Sequence, residues 1–285
     1  MARKLDGKVA AVTGGGRGIG RGICLLLASE GAKVVVNDIF READGAAAAD
    51  NVVKEIQKAG GKALAAHENI ATMAGGANMV KTAADAFGRI DILVNVAGNT
   101  QHASNVDLSE QEWDSVIDVH VKGHFSCCKA AMPYMIRQKS GRIINFASRG
   151  AFFGLNLAYS SAKAAVMGFS STMAREMKPH NVTVNCILPS AITQLFPHPE
   201  YAAHDKSHPA GALRPGPEFL APVVAYLCTD EARDITGKFI YACGGEICIY
   251  TQPLQFGAVD TMARKDGMWT IDELAQVIPS MIGEE

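Results

Sequence analysis

Tyr159 and Lys163 are spaced so that they could move a proton together. They bound the segment Tyr159-Ser160-Ser161-Ala162-Lys163, and a separation of four residues places both side chains on one face of a helix. A free phenol has a pKa near about 10 and exchanges protons poorly at neutral pH. Because a neighbouring ammonium favours the phenolate and lowers that pKa, the pair predicts acid–base chemistry at Tyr159.

A hydroxyl group is predicted close to this pair. Residues 142–146 are rich in β-branched and aromatic side chains and predict a strand, and Ala147 and Ser148 follow it directly. The tyrosine–lysine spacing alone occurs often by chance. Its position just after a strand that ends in Ser148 is more specific, and it predicts a Ser-Tyr-Lys group at one end of a sheet.

A glycine-rich turn provides a second chemical feature. It reads Thr13-Gly14-Gly15-Gly16-Arg17-Gly18-Ile19-Gly20 and lies between a predicted strand and a predicted helix. Glycine lets the backbone turn tightly and approach a phosphate, and a helix N-terminus offers free N–H groups to an anion. The spacing G-x-x-x-G-x-G differs from the commoner G-x-G-x-x-G fingerprint, so a plain tight turn is the competing interpretation.

Asp38 makes a dinucleotide the favoured ligand of that turn. It ends a second β-branched run, 18 residues after Gly20. An acidic side chain there accepts hydrogen bonds from a ribose 2′-hydroxyl and repels a 2′-phosphate. The sequence therefore predicts NAD rather than NADP, although Arg17 and Arg41 are basic residues nearby that could weaken the preference. The alternative is that Asp38 is only a turn residue at a strand end.

Apolar runs alternate with helical patterns along the chain. Strands are predicted at 9–12, 33–38, 63–66, 90–95, 142–146, 182–187 and 239–242, and helices at 19–29, 50–59, 76–87, 110–138, 158–177 and 218–228. The strands lack strict alternation, which is typical of strands covered by helices on both faces. The pattern predicts an α/β fold: a doubly wound, Rossmann-type parallel sheet in a single domain of residues 1–249, with a C-terminal extension.

Two segments depart from the alternation. Residues 194–217 are rich in Pro, His, Gly and Ala and predict a long loop or substrate lid. Residues 250–285 form the predicted extension beyond the sheet, with no strand to pair with. In it Thr270 and Glu273 form a capping box that opens a short helix, and Trp269 is expected to anchor the tail. We expect the tail to pack over the lid or across a subunit boundary.

Composition argues against several other classes of protein. The 285 residues include 27 basic and 29 acidic side chains, a formal net charge of -2, and the basic residues do not cluster, so no nucleic acid partner is expected. The apolar runs are far shorter than the roughly 20 residues that span a bilayer, and no membrane contact is expected. A cytoplasmic location follows as the expectation.

The cysteine and histidine patterns give no sign of a metal site or a disulfide. The seven cysteines are scattered without a C-x-x-C pair, and they are interpreted as reduced core thiols. Three histidines of the predicted lid, His198, His204 and His208, lack the spacing of metal ligands. No metal is predicted.

Taken together, these pieces resemble the short-chain dehydrogenase/reductase family over residues 5–250. Besides the glycine turn and the Ser-Tyr-Lys group, the matching pieces are Asn95-Val96-Ala97-Gly98 and Pro189. The resemblance implies that Lys163 also binds the nicotinamide ribose, that Ser148 holds the reacting oxygen, and that Asn95 supports the strand beside the cofactor. The cofactor-binding residues that it implies are Gly14, Arg17, Gly18, Ile19, Gly20, Asp38, Asn69, Ile70, Asn95, Ala97, Gly98, Tyr159, Lys163, Pro189, Ile192 and Thr193.

The chain departs from the family pattern at several positions. Ser148 precedes Tyr159 by 11 residues, which is closer than in much of the family. The turn between Ser148 and Tyr159 is therefore expected to be shortened. The resemblance implies that Asn69 contacts adenine, and this residue stands where an Asp is commoner. Ser190 replaces the glycine that usually follows the proline at position 189. Val96 stands where the family usually has a second asparagine.

His120 is the departure closest to the chemistry. In Val119-His120-Val121-Lys122-Gly123 it stands where many members carry an Asn that anchors a proton-relay water. A neutral imidazole can also hold a water, so His120 joins Ser148, Tyr159 and Lys163 as a predicted catalytic residue. The alternative is a helix histidine with packing contacts only.

Within the family, residues 34–38, an insertion at 40–51 and residues 119–123 resemble the (3R)-hydroxyacyl-CoA dehydrogenase module of peroxisomal multifunctional enzymes and its bacterial relatives. The resemblance implies an NAD-dependent oxidoreductase that acts on a secondary alcohol or ketone, with a small-molecule substrate similar to a 3-hydroxyacyl-CoA. A steroid or alicyclic alcohol dehydrogenase and a non-catalytic partner subunit of a hetero-oligomer are the alternatives.

Two predicted helices, at 110–138 and 158–177, carry apolar or small residues on more than one face. One face can cover the sheet, and the other would leave an apolar patch on a monomer. Such patches usually mark interfaces, and the resemblance implies the same. The chain is therefore expected to be a homo-oligomer, either a tetramer or a dimer.

Overall fold

The structure is a computed structural model that describes residues 3–101, 103–152, 156–195, 216–250 and 261–282. Within these residues it forms one nine-stranded sheet with helices on both faces. The strands are β1 (Val9–Thr13), β2 (Lys33–Asn37), β3 (Lys62–Ala66), β4 (Ile92–Asn95), β5 (Gly141–Phe146), β6 (Val182–Pro189), β7 (Phe239–Cys243), β8 (Glu246–Tyr250) and β9 (Thr261–Arg264). The helices are α1 (Gly18–Ser29), α2 (Ala48–Lys58), α3 (Met73–Phe87), α4 (Glu110–Ile117), α5 (Gly123–Gln138), α6 (Leu157–Met177), α7 (Ala221–Leu227) and α8 (Ile271–Ile282).

The order of the strands places a crevice at one edge of the sheet. From one side to the other the order is β3-β2-β1-β4-β5-β6-β7-β8-β9, and β1 to β7 are all parallel. The chain winds outward from β1 to β3 and then resumes on the other side of β1 with β4. In open α/β sheets ligands bind outside the carboxyl ends of the strands at such a reversal. The predicted doubly wound fold is confirmed.

Two layers of apolar side chains explain why the strands do not alternate. On one face the even-numbered side chains of β1, such as Val12, join α1, α2 and α7 in a core. On the other face Val9 and Ala11 pack with α3 and α5. Every residue of β1 and of β5 is buried, Arg142 included. The sheet therefore holds the ends of its strands in fixed positions relative to one another.

The expectation of a tail without a strand is wrong. β8 returns antiparallel to β7, and β9 pairs antiparallel with β8, so the sheet continues into the tail. The capping box of α8 is confirmed, since Thr270 and Glu273 bind each other's backbone N–H groups. α8 packs on α7 of its own chain through Leu274 and Ile278, and packing of the tail over the lid or across a subunit boundary stays a prediction. The Trp269 indole anchors the tail by donating to the Gly245 carbonyl oxygen at 2.8 Å.

Two predicted helices differ in detail from the sequence pattern. Residues 110–138 are helical throughout, but a π-helical segment (Asp118–Lys122) separates α4 from α5. The predicted helix at 218–228 begins with a 3-10 turn (Pro217–Leu220) before α7. The predicted lid, residues 194–217, lies mostly outside the described residues. The π-helical segment and the 3-10 turn differ from an α-helix in their hydrogen-bond register, which the spacing of apolar residues does not reveal.

Among the described residues no helix is both long enough and apolar enough to cross a membrane. All seven cysteines are free, and only Cys243 is not fully buried. The interpretation of the cysteines as core thiols is confirmed.

Candidate active site

The glycine turn after β1 is shaped by close backbone contacts. Gly14 has a φ of 64°, and a Cβ atom there would lie 2.8 Å from the Cα atom of Ala97. A Cβ atom on Gly20 would lie 2.1 Å from the Gly14 carbonyl oxygen. Only glycine satisfies these approaches, because any larger residue would force the backbone apart. The turn thus leads from β1 into α1 and leaves the N-terminus of α1 facing the crevice, which fits a dinucleotide phosphate.

Asp38 is fixed against the glycine turn by two backbone donors. Its Oδ2 atom accepts from the Gly16 N–H at 3.0 Å, and its Oδ1 atom accepts from the Phe40 N–H at 2.9 Å. A Cβ atom on Gly16 would lie 2.9 Å from the same Oδ2 atom, so glycine is needed for the carboxylate to approach. The Arg17 guanidinium lies 3.2 Å from the centre of the Phe40 ring. The predicted cofactor residues at this end of the site are therefore brought together.

The ends of β1 and β4 are joined by one hydroxyl group. The Thr13 Oγ1 atom accepts from the N–H groups of Val96 and Ala97, at 3.0 and 3.1 Å. Asn95, buried at the end of β4, donates to the Asn145 Oδ1 atom at 2.9 Å. Asn95 therefore does tie two neighbouring strands of the site together.

The central network continues from β5 into the helix that carries Tyr159. The Asn145 amide donates to the Ser170 Oγ atom at 2.9 Å, and Ser170 in turn donates to the Val166 carbonyl oxygen of α6 at 2.7 Å. Because these hydrogen bonds link β4, β5 and α6 in the protein interior, the network fixes α6 on the sheet.

Tyr159, Ser148 and Lys163 meet at the carboxyl end of β5. The Tyr159 hydroxyl shares a hydrogen bond with the Ser148 side chain. The Lys163 ammonium lies 5.6 Å from the centre of the Tyr159 ring and donates to the Phe146 carbonyl oxygen at 2.7 Å. Tyr159 and Lys163 are both buried, with 4% of each residue exposed. The predicted Ser-Tyr-Lys group is formed in the structure.

Burial sets the proton affinities of the group. It raises the pKa of Tyr159 to about 12, against a smaller lowering by the hydrogen bond from Ser148. Burial also lowers the pKa of Lys163 to about 7. We expected the lysine charge to lower the pKa of the tyrosine, but burial raises it instead. A lysine whose own charge is disfavoured exerts less attraction on a phenolate.

His120 lies between the catalytic tyrosine and the loop after β4. Its ring packs edge-on against the Tyr159 ring, with the centroids 5.4 Å apart. Its Nε2 atom lies 2.8 Å from the carbonyl oxygen of Asn99 and 3.1 Å from the Asn99 nitrogen, so either neutral tautomer has a partner there. Burial lowers the pKa of His120 well below its usual value, so the ring is neutral.

The His120 ring also occupies the space beside Gly98. A Cβ atom on Gly98 would lie 2.5 Å from the His120 Cε1 atom. Its Nδ1 atom is buried without a hydrogen-bond partner among the described residues. The structure thus gives His120 packing contacts and backbone contacts, and one nitrogen that remains available in the protein interior.

The other predicted cofactor residues lie at the same edge of the sheet. Asn69 and Ile70 follow β3, and the Ile70 carbonyl oxygen accepts from Ser126 of α5 at 2.9 Å. Pro189 ends β6, and Ile192 and Thr193 follow it, half-buried. A Cβ atom on Gly18 would lie 3.3 Å from the Gln194 Oε1 atom and 4.0 Å from the Thr193 side chain, so the start of the predicted lid approaches the glycine turn.

Two residues near the catalytic group were not predicted from the sequence. His124 is buried one turn after His120, and burial together with the charge of Lys163 lowers its pKa to about 3. The four-residue spacing from His120 was the signal for it. Ser160, beside the tyrosine, donates to the Gly150 carbonyl oxygen at 2.7 Å and so ties α6 to the turn after Ser148. No group of metal-ligating side chains occurs among the residues described.

This combination of a glycine turn, a strand-end acid and a Ser-Tyr-Lys group on a doubly wound sheet defines an oxidoreductase site. The family model for short chain dehydrogenases matches residues 8–198, and the chain belongs to that family. Members use nicotinamide cofactors, and the protein is an oxidoreductase of this family that acts on CH–OH groups.

The relatives of the chain include a multifunctional enzyme and a single-domain-sized reductase. Over 250 residues the chain is 42% identical to the peroxisomal multifunctional enzyme type 2 of Drosophila melanogaster. The aligned region covers 85% of this chain and only 40% of that enzyme. It is 39% identical over 246 residues to a 3-oxoacyl-[acyl-carrier-protein] reductase of Synechocystis, covering 85% of this chain and 98% of the reductase. A crystal structure of a short chain dehydrogenase from Mycobacterium avium is 37% identical, with a TM-score of 0.76 and coverage of 98% of this chain and 96% of that one.

Proposed function

We propose that the protein is an NAD-dependent dehydrogenase that interconverts a secondary alcohol and a ketone on a substrate similar to a 3-hydroxyacyl-CoA. The observation that carries the proposal is the buried Tyr159 hydroxyl, hydrogen-bonded to Ser148 and placed beside Lys163. A proton-transferring phenol that is buried at the same sheet edge as a nucleotide turn is an arrangement suited to alcohol oxidation.

In the direction of oxidation, the substrate hydroxyl gives up a proton and its carbon gives up a hydride. When bound, NAD supplies the hydride acceptor and, on its oxidised ring, a positive charge. In its phenolate form Tyr159 accepts the hydroxyl proton at Oη and becomes the neutral phenol, while Ser148 Oγ donates a hydrogen bond to the substrate oxygen. The pKa of Lys163 is about 7, so its amine can lose or gain a proton near neutrality. When Lys163 is protonated, its positive charge stabilises the phenolate of Tyr159.

The neighbourhood of Asp38 supports NAD over NADP. The Asp38 carboxylate is fixed by two backbone donors and keeps further lone pairs for a ribose hydroxyl. The two nearby arginines have other partners, since Arg17 lies on the Phe40 ring and Arg41 donates to the Gly45 carbonyl oxygen at 3.1 Å. A 2′-phosphate would meet the carboxylate and would have to recruit Arg17 from its stack.

A substrate with an apolar chain is supported by the surface next to the catalytic group. Phe152 and Leu157 lie between Ser148 and Tyr159 in the sequence and remain partly exposed, by 39% and 52%. Phe153 and Leu155, which continue this apolar run in the sequence, lie outside the described residues. Two of the relatives are named for multifunctional peroxisomal chemistry and for 3-oxoacyl reduction, which favours an acyl thioester over a steroid or an alicyclic alcohol.

Homo-oligomer formation, as a dimer or tetramer, is part of the proposal. α4 and α5 keep three large apolar side chains partly exposed on their outer surface: Trp113, Phe125 and Ile136. Ala165 on α6 is exposed as well. Light scattering at micromolar concentration should give a mass of at least two chains, and a monomer would contradict this part of the proposal. The cytoplasmic location stays a prediction.

The function is tested by following NADH at 340 nm with three substrate sets: 3-hydroxyacyl-CoA esters of increasing chain length, the corresponding free hydroxy acids, and steroid or alicyclic alcohols. We expect turnover with the CoA esters. The matched control is Tyr159→Phe, which should lower kcat by about 10²- to 10⁴-fold while NADH binding is kept. Turnover limited to the cyclic alcohols would replace the substrate class. If the variant kept wild-type turnover, Tyr159 would not be the proton carrier.

A further inference from the structure

Two asparagines join the loop after β4 to the first turn of α6. The Asn156 amide donates to the Ala103 carbonyl oxygen at 3.4 Å, and the Asn105 Oδ1 atom accepts from the Leu157 N–H at 2.9 Å. Both bonds run from donors in segment 156–157 to acceptors in segment 103–105. We call this pair of bonds the asparagine clasp.

Asn156 also caps the helix that carries Tyr159. Its Oδ1 atom accepts from the N–H groups of Ala158 and Tyr159, at 3.0 and 3.3 Å. Its carbonyl end is therefore committed to the helix and its amino end to the loop, and 7% of the residue is exposed. A side chain with an acceptor at one end and a donor at the other is needed for both contacts.

The other end of the loop is fixed beside the catalytic group. Asn99 contacts the His120 ring through its backbone and donates to the Ser115 carbonyl oxygen of α4 at 3.1 Å. Gln101 donates to the Ser115 Oγ atom at 3.0 Å. The loop thus runs from α4 and His120 to the start of α6, and next to the clasp Val106 is 95% exposed.

We propose that Asn105 and Asn156 are positioning residues that make the placement of the Tyr159 phenol depend on residues 99–101 and 103–105 of the loop after β4. Tyr159 is the third residue of α6, so its backbone is held by the cap and not yet by a full helical turn. Because the tyrosine side chain is long, a small rotation of this first turn displaces the phenol oxygen by a larger distance. Misplacement of a reacting group by about 1 Å can cost about a hundredfold in rate. The inference rests on the proposed function of Tyr159.

The clasp and the cap can be separated by substitution. Asn156→Ser keeps an oxygen that caps α6 but is too short to reach Ala103, whereas Asn156→Ala loses the cap as well. Asn105→Ala removes the second bond of the clasp without touching the cap. Asn105→Asp restores the acceptor for the Leu157 N–H. Asn78→Ala, at an exposed position of α3, is the control for loss of an asparagine elsewhere.

The expected result is a fall in kcat without a change in the KM for NAD. Asn105→Ala and Asn156→Ser should each lower kcat by about tenfold, and the double variant should fall no further, because both remove the same tether. Asn156→Ala should fall below either, and Asn105→Asp should recover most of the loss of Asn105→Ala. Unchanged kcat in Asn105→Ala and Asn156→Ser, or strictly multiplicative losses, would overturn the proposal.

Hydrogen exchange provides a readout that does not depend on turnover. In Asn105→Ala the amides of residues 157–159 should exchange faster, while those of α3 keep wild-type rates. If the wild-type protein turned over none of the three substrate sets, the proposed function would fall, and this exchange result would still decide whether the clasp holds the first turn. Wild-type exchange at residues 157–159 in Asn105→Ala would refute the clasp itself.

Discussion

The glycine turn and the catalytic helix lie at the same edge of the sheet, yet they are held in different ways. At the glycine turn, backbone atoms approach so closely that Cβ atoms on Gly14 and Gly20 would collide with other backbone atoms. At the start of α6, side chains supply the contacts, and Tyr159 and Lys163 are surrounded by apolar groups that shift their pKa values in opposite directions.

The difference predicts how each region responds to substitution. A backbone-to-backbone contact has no flexible part that can yield, so a single added methyl group must displace the chain. A buried side-chain group tolerates a replacement of similar shape and responds mainly through proton affinity and rate. The nucleotide end should therefore fail by losing structure and affinity, and the catalytic end by losing rate.

The largest effect is expected from Gly20→Ala. Its Cβ atom would lie 2.1 Å from the Gly14 carbonyl oxygen, so the turn must open. NADH affinity should fall by at least about a hundredfold, with a loss of stability of at least about 2 kcal/mol. Calorimetric titration and thermal unfolding measure both. Gly168→Ala in α6, where an added Cβ meets nothing within 4 Å, should leave NADH affinity intact; equal damage in both variants would contradict the contrast.

A smaller effect, on rate alone, is expected at His120. If its imidazole holds a relay water, His120→Asn should keep substantial activity, because an amide can hold water too, and His120→Ala should lose about 10²-fold in kcat. Steady-state kinetics at saturating NAD separates the two variants. Equal rates for both would point to a packing role, which the contacts with Asn99 and Tyr159 also allow.

Asp38→Asn should change cofactor choice without opening the turn. The amide keeps an oxygen for one of the two backbone donors but removes the negative charge that faces the ribose. A hydrogen bond to a charged group contributes about 1.5–3 kcal/mol, so the ratio of NADP to NAD affinity should rise by about tenfold or more. Titration of both cofactors gives this ratio. A wild-type protein that binds NADP as tightly as NAD would refute the assigned role of Asp38.

A separate effect, on stability and not on rate or affinity, is a pH dependence at His124. Its folded-state pKa of about 3 lies below the value near 6.5 of an unfolded chain, so between these the unfolded state binds more protons. The contribution of the buried, neutral His124 ring to the free energy of unfolding is fully present above about pH 6.5. It is lost as the pH falls toward 3. His124→Gln should flatten the rise of the unfolding free energy between pH 4.5 and about 6.5, as measured by urea denaturation.

The exposed His67 provides the control for that experiment. His67→Gln removes a ring that is 45% exposed beside Asp50, and the wild-type slope should remain. A wild-type slope in His124→Gln as well would mean that the buried ring does not resist protonation.

The sequence predicted the elements that have strong local signals. The β-branched run at 33–38 became β2 (Lys33–Asn37), with Asp38 just beyond it, and the strand-end rule correctly brought Ser148 to Tyr159. β9 (Thr261–Arg264) was missed because its four residues have no strand pattern, and the strand exists through pairing with β8. The rise in the pKa of Tyr159 was also missed, since it depends on burial by residues distant in sequence.

The π-helical segment (Asp118–Lys122) is in effect one inserted residue in an otherwise α-helical stretch, and the Gly123 N–H bonds back to the Asp118 carbonyl oxygen. Each residue of an α-helix advances the side-chain direction by about 100°. Deleting Val119 would let the stretch become regular, but it would rotate α4 and α5 relative to each other by that angle. After that rotation, α4 and α5 could no longer satisfy both contacts together. Either His120 would face Tyr159, or Cys128 and Met135 would face the sheet.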